Sequence, residues 1–169
     1  MLGFIAGMLY GNMGEWLVHK NFLHEDGRKK NSFWSFHWNE HHKACRRNDF
    51  YDQDYQRSLL DWNAQSKEVA GLLLAGALHA PLFPIAPGFV SGLWFQLTLY
   101  YNVHKKAHLD PQWAKENIPW HYDHHMGPNQ DKNWCITYPF FDYVMGTREP
   151  YLGTEKALAD VLRREVKAA

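Results

Sequence analysis

Cysteine is scarce: Cys45 and Cys135 are the two in 169 residues, and they share no Cys-x-x-Cys spacing. That is too few for a disulfide framework and excludes a structural zinc site built on thiolates, so both read as reduced thiols in a cytosolic setting. Net charge is also missing, with eighteen Lys and Arg against eighteen Asp and Glu. A pI near 7.2 leaves no electrostatic footprint for nucleic acid. The cations are unevenly spread, and residues 1–19 and 68–104 contain none. Residues 1–18 are preceded by no positive n-region and followed by no small-residue cleavage site, which argues against a cleaved signal peptide. There is no internal repeat and no low-complexity segment, and the length suits one domain over residues 1–169.

Aromatic residues are abundant at 16%, with eight Trp, nine Tyr and ten Phe. Such an excess suits a lipid–water interface and equally a large aromatic core. Residues 1–18 read as an apolar helix, but Asn12, Glu15 and the glycines make it a poor free-standing membrane span. It is better suited to packing its glycine face on another apolar helix. Residues 19–67 are polar and basic, with short helices or helix ends joined by a charged turn from Glu25 to Asn31. Residues 68–103 form the long apolar stretch, interrupted by Pro81, Pro84 and Pro87. Prolines so spaced predict two helices of about 16 residues with a bend between them. Each arm would be roughly 24 Å long, against about 30 Å of hydrocarbon, which fits a thin-spanning or partly inserted hairpin. A hairpin entering and leaving on one side puts every cation on that side, the pattern of a cytoplasmic face. A buried hairpin in a soluble protein is the competing reading, consistent with the mean hydropathy of -0.52. Residues 154–169 predict an amphipathic packing or membrane-surface helix with Ala157, Leu158, Val161, Leu162 and Val166 on one stripe.

Histidine carries the chemistry. Ten of the eleven histidines fall into four groups: His19 with His24, His37 with His41 and His42, His104 with His108, and His121 with His124 and His125. Rings three or four positions apart share one helix face and can converge on an ion. His19 and His24 are five apart, which requires a helix end or some rotation between the rings. One ion takes three or four histidines, so ten imply two ions. His79, alone in the apolar hairpin, reads as a helix-packing or interfacial residue. With no thiolate in the groups, iron–sulfur ligation is excluded. Two ions in an all-nitrogen setting suit iron redox chemistry with O2, while imidazole also suits zinc and copper.

The spacings His19-x4-His24, His37-x3-His41-His42, His104-x3-His108 and His121-x2-His124-His125 are followed by a turn with Asn129 and by FFDYVMGT at residues 140–147. Together they resemble the fatty acid hydroxylase / sterol desaturase superfamily from about Glu15 to Thr147. The resemblance implies an all-α fold: a compact helical membrane protein with an apolar hairpin under a cytosolic, histidine-lined dimetal cap. It implies that all ten grouped histidines are metal ligands, holding two iron ions, with zinc as an alternative occupant on isolation. O2 would be the co-substrate, and an unactivated C–H bond of a lipid, fatty-acyl or sterol-like molecule would be hydroxylated or desaturated. Glu15, Asn129 and Asp142 become candidates for supporting the ligands from behind or for structural roles. The additional N-terminal membrane pair of many relatives is missing, so anchoring would be lighter and a homodimer could supply helix packing. No cytochrome b5-like segment is present, so electrons are expected from an external donor of the cytochrome b5 or ferredoxin type. Carotenoid-type hydroxylation and non-catalytic metal binding in a membrane are the alternatives.

Overall fold

A computed structural model describes the backbone of residues 1–168 and the side chains of residues 1–163. The architecture is all-α, with no strand among the described residues. Helix α1 (Leu2–Val18) widens into a π-helix over His19–Asp26. A π-helical turn at His37–His41 runs into α2 (His42–Arg47), and two 3-10 turns, Gln53–Gln56 and Leu59–Asp61, lead to α3 (Ala64–His79). The Asn63 side chain starts α3 by accepting the Ser66 backbone N–H at 2.9 Å. After a bend through Ala80–Leu82, Pro87 opens α4 (Pro87–Leu109) at a position where a missing N–H costs no helical bond. Then come α5 (Pro111–Asn117), α6 (Pro119–Met126), α7 (Phe140–Val144) and α8 (Glu155–Ala168).

The spine is α1 packed along α4. Glycine sets their register. A Cβ at Gly7 would collide with the Phe89 carbonyl oxygen, and one at Gly92 with the Phe4 carbonyl, so the two backbones touch with no side chain between. The glycine-faced helix expected over residues 1–18 therefore has the second hairpin arm as its partner.

The hairpin forms, but its arms are unequal, at 16 and 23 residues. Residue 103 does not end the second arm. Nothing between Asn102 and Leu109 breaks a helix, and the break comes at Asp110-Pro111, so His104 and His108 ride on the same rod as the apolar residues. Among the described residues no helix is long and apolar enough to cross a membrane. What the hairpin shows instead is exposed apolar surface at Leu73, Leu74, Leu78, Phe83 and Ile85. In α8, Ala157 is buried with Tyr122, Met126 and Tyr151, while Leu158, Val161 and Leu162 are exposed; the Val166 side chain lies outside the described residues.

Candidate metal centre

The two π-helical segments explain the odd histidine spacing. A π-helix bonds i to i+5, so residues five apart stack where an α-helix would splay them. His19 and His24 have ring centroids 5.0 Å apart, and His37 and His42, also five apart, are 4.8 Å apart. The end of α4 supplies His104 and His108, and α6 supplies His121, His124 and His125.

All ten rings are buried in one place. They divide into two sets. His19, His24, His37, His42 and His124 share one centre, while His104, His108, His121 and His125 share another, which His41 joins through His108 and His125 with the Cys45 thiol in the same group. The sets abut where the His42 and His125 rings lie 4.2 Å apart. The halves of the chain contribute unequally: the first quarter gives four rings to the first set and one to the second, and the region after α3 gives the reverse.

Within each set the Nε2 atoms face one another. His19 and His37 are 2.9 Å apart at Nε2, His24 and His42 are 3.1 Å apart, and His124 is 3.1 Å from His24. In the second set His108 Nε2 is 3.1 Å from His104 and 3.0 Å from His121. The far ring nitrogens decide what occupies these gaps. Nδ1–H donates to the Trp134 carbonyl from His19, to Lys132 from His124 and to Phe50 from His108. His41 donates to Asp52 at 2.7 Å and His104 to Glu68 at 2.6 Å. A neutral imidazole has one N–H, so in these five rings Nε2 carries a bare lone pair aimed into the centre. Lone pairs facing lone pairs repel unless a cation lies between them. Neighbouring corners of a six-coordinate shell with metal–nitrogen bonds near 2.1 Å are about 3.0 Å apart, which matches the observed gaps. His41 Nε2 and His125 Nε2 have no hydrogen-bond partner, which suits atoms kept for an ion; His125 Nδ1 is unpartnered as well, and coordination accounts for only one nitrogen of that ring.

The electrostatics agree. Burial pushes His19, His37, His42, His104, His108, His121, His124 and His125 well below the ordinary imidazole value, with neighbouring histidines adding to the shift. His24 is lowered in the same way. These are neutral imidazoles, the form that binds metal. Cys45 lies 3.4 Å from His108, on its Nδ1 side. Burial raises its thiol, so it packs behind the ring as a neutral group.

Of the carboxylates and amides expected to support the ligands, none of the three touches a histidine. Glu15 accepts from the Ile136 and Thr137 backbones and from the Thr137 hydroxyl, tying α1 to the segment after α6. Asp142 accepts the Trp134 and Cys135 backbone N–H groups and the Thr147 hydroxyl. It shapes the strip whose Trp134 carbonyl holds His19, so it acts one step removed. Asn129 caps a surface turn by accepting the Asp131 N–H. The groups that do meet the rings are Asp52, Glu68, the Gln130 amide 2.7 Å from His42 Nδ1, and Asp131 3.7 Å from His24 Nδ1. No spacing in the sequence marks Asp52 or Glu68, because each reaches its histidine across the fold. His79 stays outside both sets. It pairs with Tyr10 at 3.1 Å and with the Ala75 carbonyl, in keeping with a helix-packing role.

A family model described as fatty acid hydroxylase matches residues 4–147. The chain belongs to the fatty acid hydroxylase family. The match begins at Phe4, so it takes in all but the first two residues of the α1–α4 spine as well as the histidine groups, and it ends at the Thr147 that closes the FFDYVMGT phrase. Comparison with curated proteins gave no match, and neither did comparison with solved structures. Membership of the hydroxylase family implies an oxidoreductase-type enzyme, in a family that is typically metal-dependent and generally membrane-associated. The two buried histidine sets are compatible with that metal dependence.

Proposed function

We propose that this hydroxylase-family chain is an O2-dependent di-iron enzyme that oxidises an unactivated C–H bond of a lipid, with the ten grouped histidines as ligands. The observation that carries the reading is the convergence of bare Nε2 lone pairs in two adjoining sets beside an apolar cavity. That cavity has a volume of about 460 Å³ and lies among α1, α3 and α4, with His19 and His37 in its wall. Its volume is within the range of roughly 300–1,000 Å³ typical of ligand pockets. Leu17, Phe22, Leu72 and Leu97 in the lining suit an aliphatic occupant.

Two iron ions would supply the activation of O2 that no side chain can perform. The protein's part is positional. His19, His24, His37, His42 and His124 would hold one ion, and His41, His104, His108, His121 and His125 the other. Asp52 and Glu68 keep His41 and His104 in the tautomer that presents Nε2, and backbone carbonyls do the same for His19, His108 and His124. The cavity holds the lipid against the His19 and His37 edge of the first set and excludes bulk water. Hydroxylation places one oxygen atom in the product and the other in water, so two electrons and two protons must come from outside. They would come from a separate donor protein of the cytochrome b5 or ferredoxin type docking on the polar cap.

A membrane location accounts for the apolar side chains that the hairpin leaves uncovered, Leu73, Leu74, Leu78 and Ile85 among them. With the cations confined to the other segments, the cap would face the cytoplasm. The test is mass spectrometry of lipids from a host with and without expression, repeated with His124→Ala. A new oxidised lipid is expected in the first case only. A product that persists in the variant would mean that the assigned site is wrong.

A further inference from the structure

Helices α1 and α3 both pack on α4 yet stand apart from each other, and the space between them is the cavity. Its middle is kept open by glycine. A Cβ added at Gly14 or at Gly71 would meet no atom within 4 Å, and both residues line the cavity wall.

The two ends differ in chemistry. At the histidine end sit the charged lining residues Glu15, Lys67 and Glu68. Glu15 is occupied by Thr137, Ile136 and Gln96, and Glu68 by Tyr55 and His104. That leaves Lys67, whose ion-pair partner among the described residues is the exposed Glu40 carboxylate at 3.5 Å, as the cation at this end. At the other end, Tyr10 of α1 reaches across to His79 of α3. His79 Nδ1–H donates to the Ala75 carbonyl at 2.8 Å, which leaves Nε2 to accept from the Tyr10 hydroxyl at 3.1 Å. The rings meet edge-on with centroids 5.4 Å apart. The polar atoms of this pair satisfy each other, so the face it turns to the cavity is aromatic.

A lipid in such a space puts its polar end by Lys67 and its tail against the aromatic pair. Tyr10 lies nine residues before His19 on one continuous helix, roughly 14 Å at 1.5 Å per residue. We propose that Tyr10 and His79 are specificity-determining residues: a hydrogen-bonded stop between α1 and α3 that sets the length of an unbranched acyl chain lying tail-inward from Lys67. This rests on the lipid-oxidising reading given above.

The test measures binding of free fatty acids of graded chain length to the full chain in detergent, by native mass spectrometry, with no turnover required. The wild type should show a sharp loss of affinity beyond one length. Tyr10→Ala combined with His79→Ala should move that limit to longer chains and raise the long-to-short affinity ratio at least threefold. Gly71→Leu fills the open middle and should weaken every length at least tenfold, with melting temperature and bound metal unchanged. A length profile that is the same in wild type and double variant overturns the proposal, as does undiminished binding to Gly71→Leu. A shifted profile without any oxidised product would support the stop and count against the catalytic reading alone.

Discussion

His41 and His42 adjoin in the chain, yet their rings serve different sets: His42 joins His24, His37 and His124, while His41 joins His108 and His125. The reason is helical geometry. Consecutive residues point about 100° apart around a helix, so an adjacent pair cannot easily bind one ion but can stand between two. His124 and His125 do the same from α6, the former entering the first set and the latter the second. The two doublets interleave the sets, and the His42 and His125 rings form the wall between them.

Removing metal should destabilise the fold as a whole. Without a cation, lone pairs 2.9–3.1 Å apart face one another in a buried site. A ligand present at a hundred times its dissociation constant stabilises by about 2.7 kcal/mol, and one kcal/mol moves the melting point of a chain this size by about 2–4 °C. With two ions lost together, chelation should therefore lower the melting temperature by about 10–20 °C, measured by circular dichroism. Iron added back should restore it.

The metal-free protein should lose stability as pH falls. Burial holds His19, His37, His42, His104 and their neighbours below the ordinary value of about 6.5. The unfolded chain, with ordinary imidazoles, takes up protons that the folded chain refuses. Stability is then fully present above about pH 6.5 and declines progressively below it, because proton uptake favours the unfolded state. Denaturant melts of the chelated protein between about pH 8 and about pH 5 should show a plateau followed by a steep fall. A flat profile would mean that the rings are not buried as described.

Two aspartates should fail in different ways. Asp52 holds the Nδ1–H of His41, and Asp52→Asn should weaken metal binding at the second set by 10–100-fold while leaving the fold largely intact. Asp142 accepts three bonds from Trp134, Cys135 and Thr147, all away from the rings. Asp142→Ala strands buried donors at about 1–3 kcal/mol each, so its main effect should be a lower melting temperature even in the metal-free protein. Metal titration and melting curves on the two variants separate these outcomes.

The sequence showed which histidines would gather because helical spacing is local: three or four residues apart means one face. It could not show how the ten would divide. That depends on the π-helical turns at His19–Asp26 and His37–His41, where stacking at i+5 follows from the wider coil. It depends also on α6 packing against α2, a contact between distant parts of the chain. Asp52 and Glu68 were invisible for the same reason. Asp52 lies eleven residues from His41 and Glu68 thirty-six from His104, with no periodicity joining either pair. Glu15 stands one turn before a histidine and Asp142 lies within the closing phrase, and the fold uses both to build the strip behind the rings. The hairpin was readable from its prolines, while the length of its second arm was not, because histidines and lysines continue a helix as readily as leucines do.

Iron bound per chain, counted in wild type, His41→Ala, His42→Ala and the double variant, tests the two-set assignment most directly. Two irons are expected in the wild type; each single variant leaves four histidines on its own set and should hold that one ion at least tenfold more weakly with the other unaffected, while the double variant weakens both. A single variant that loses both ions, or a double variant that keeps one tightly held, would contradict the division of the histidines into two sets.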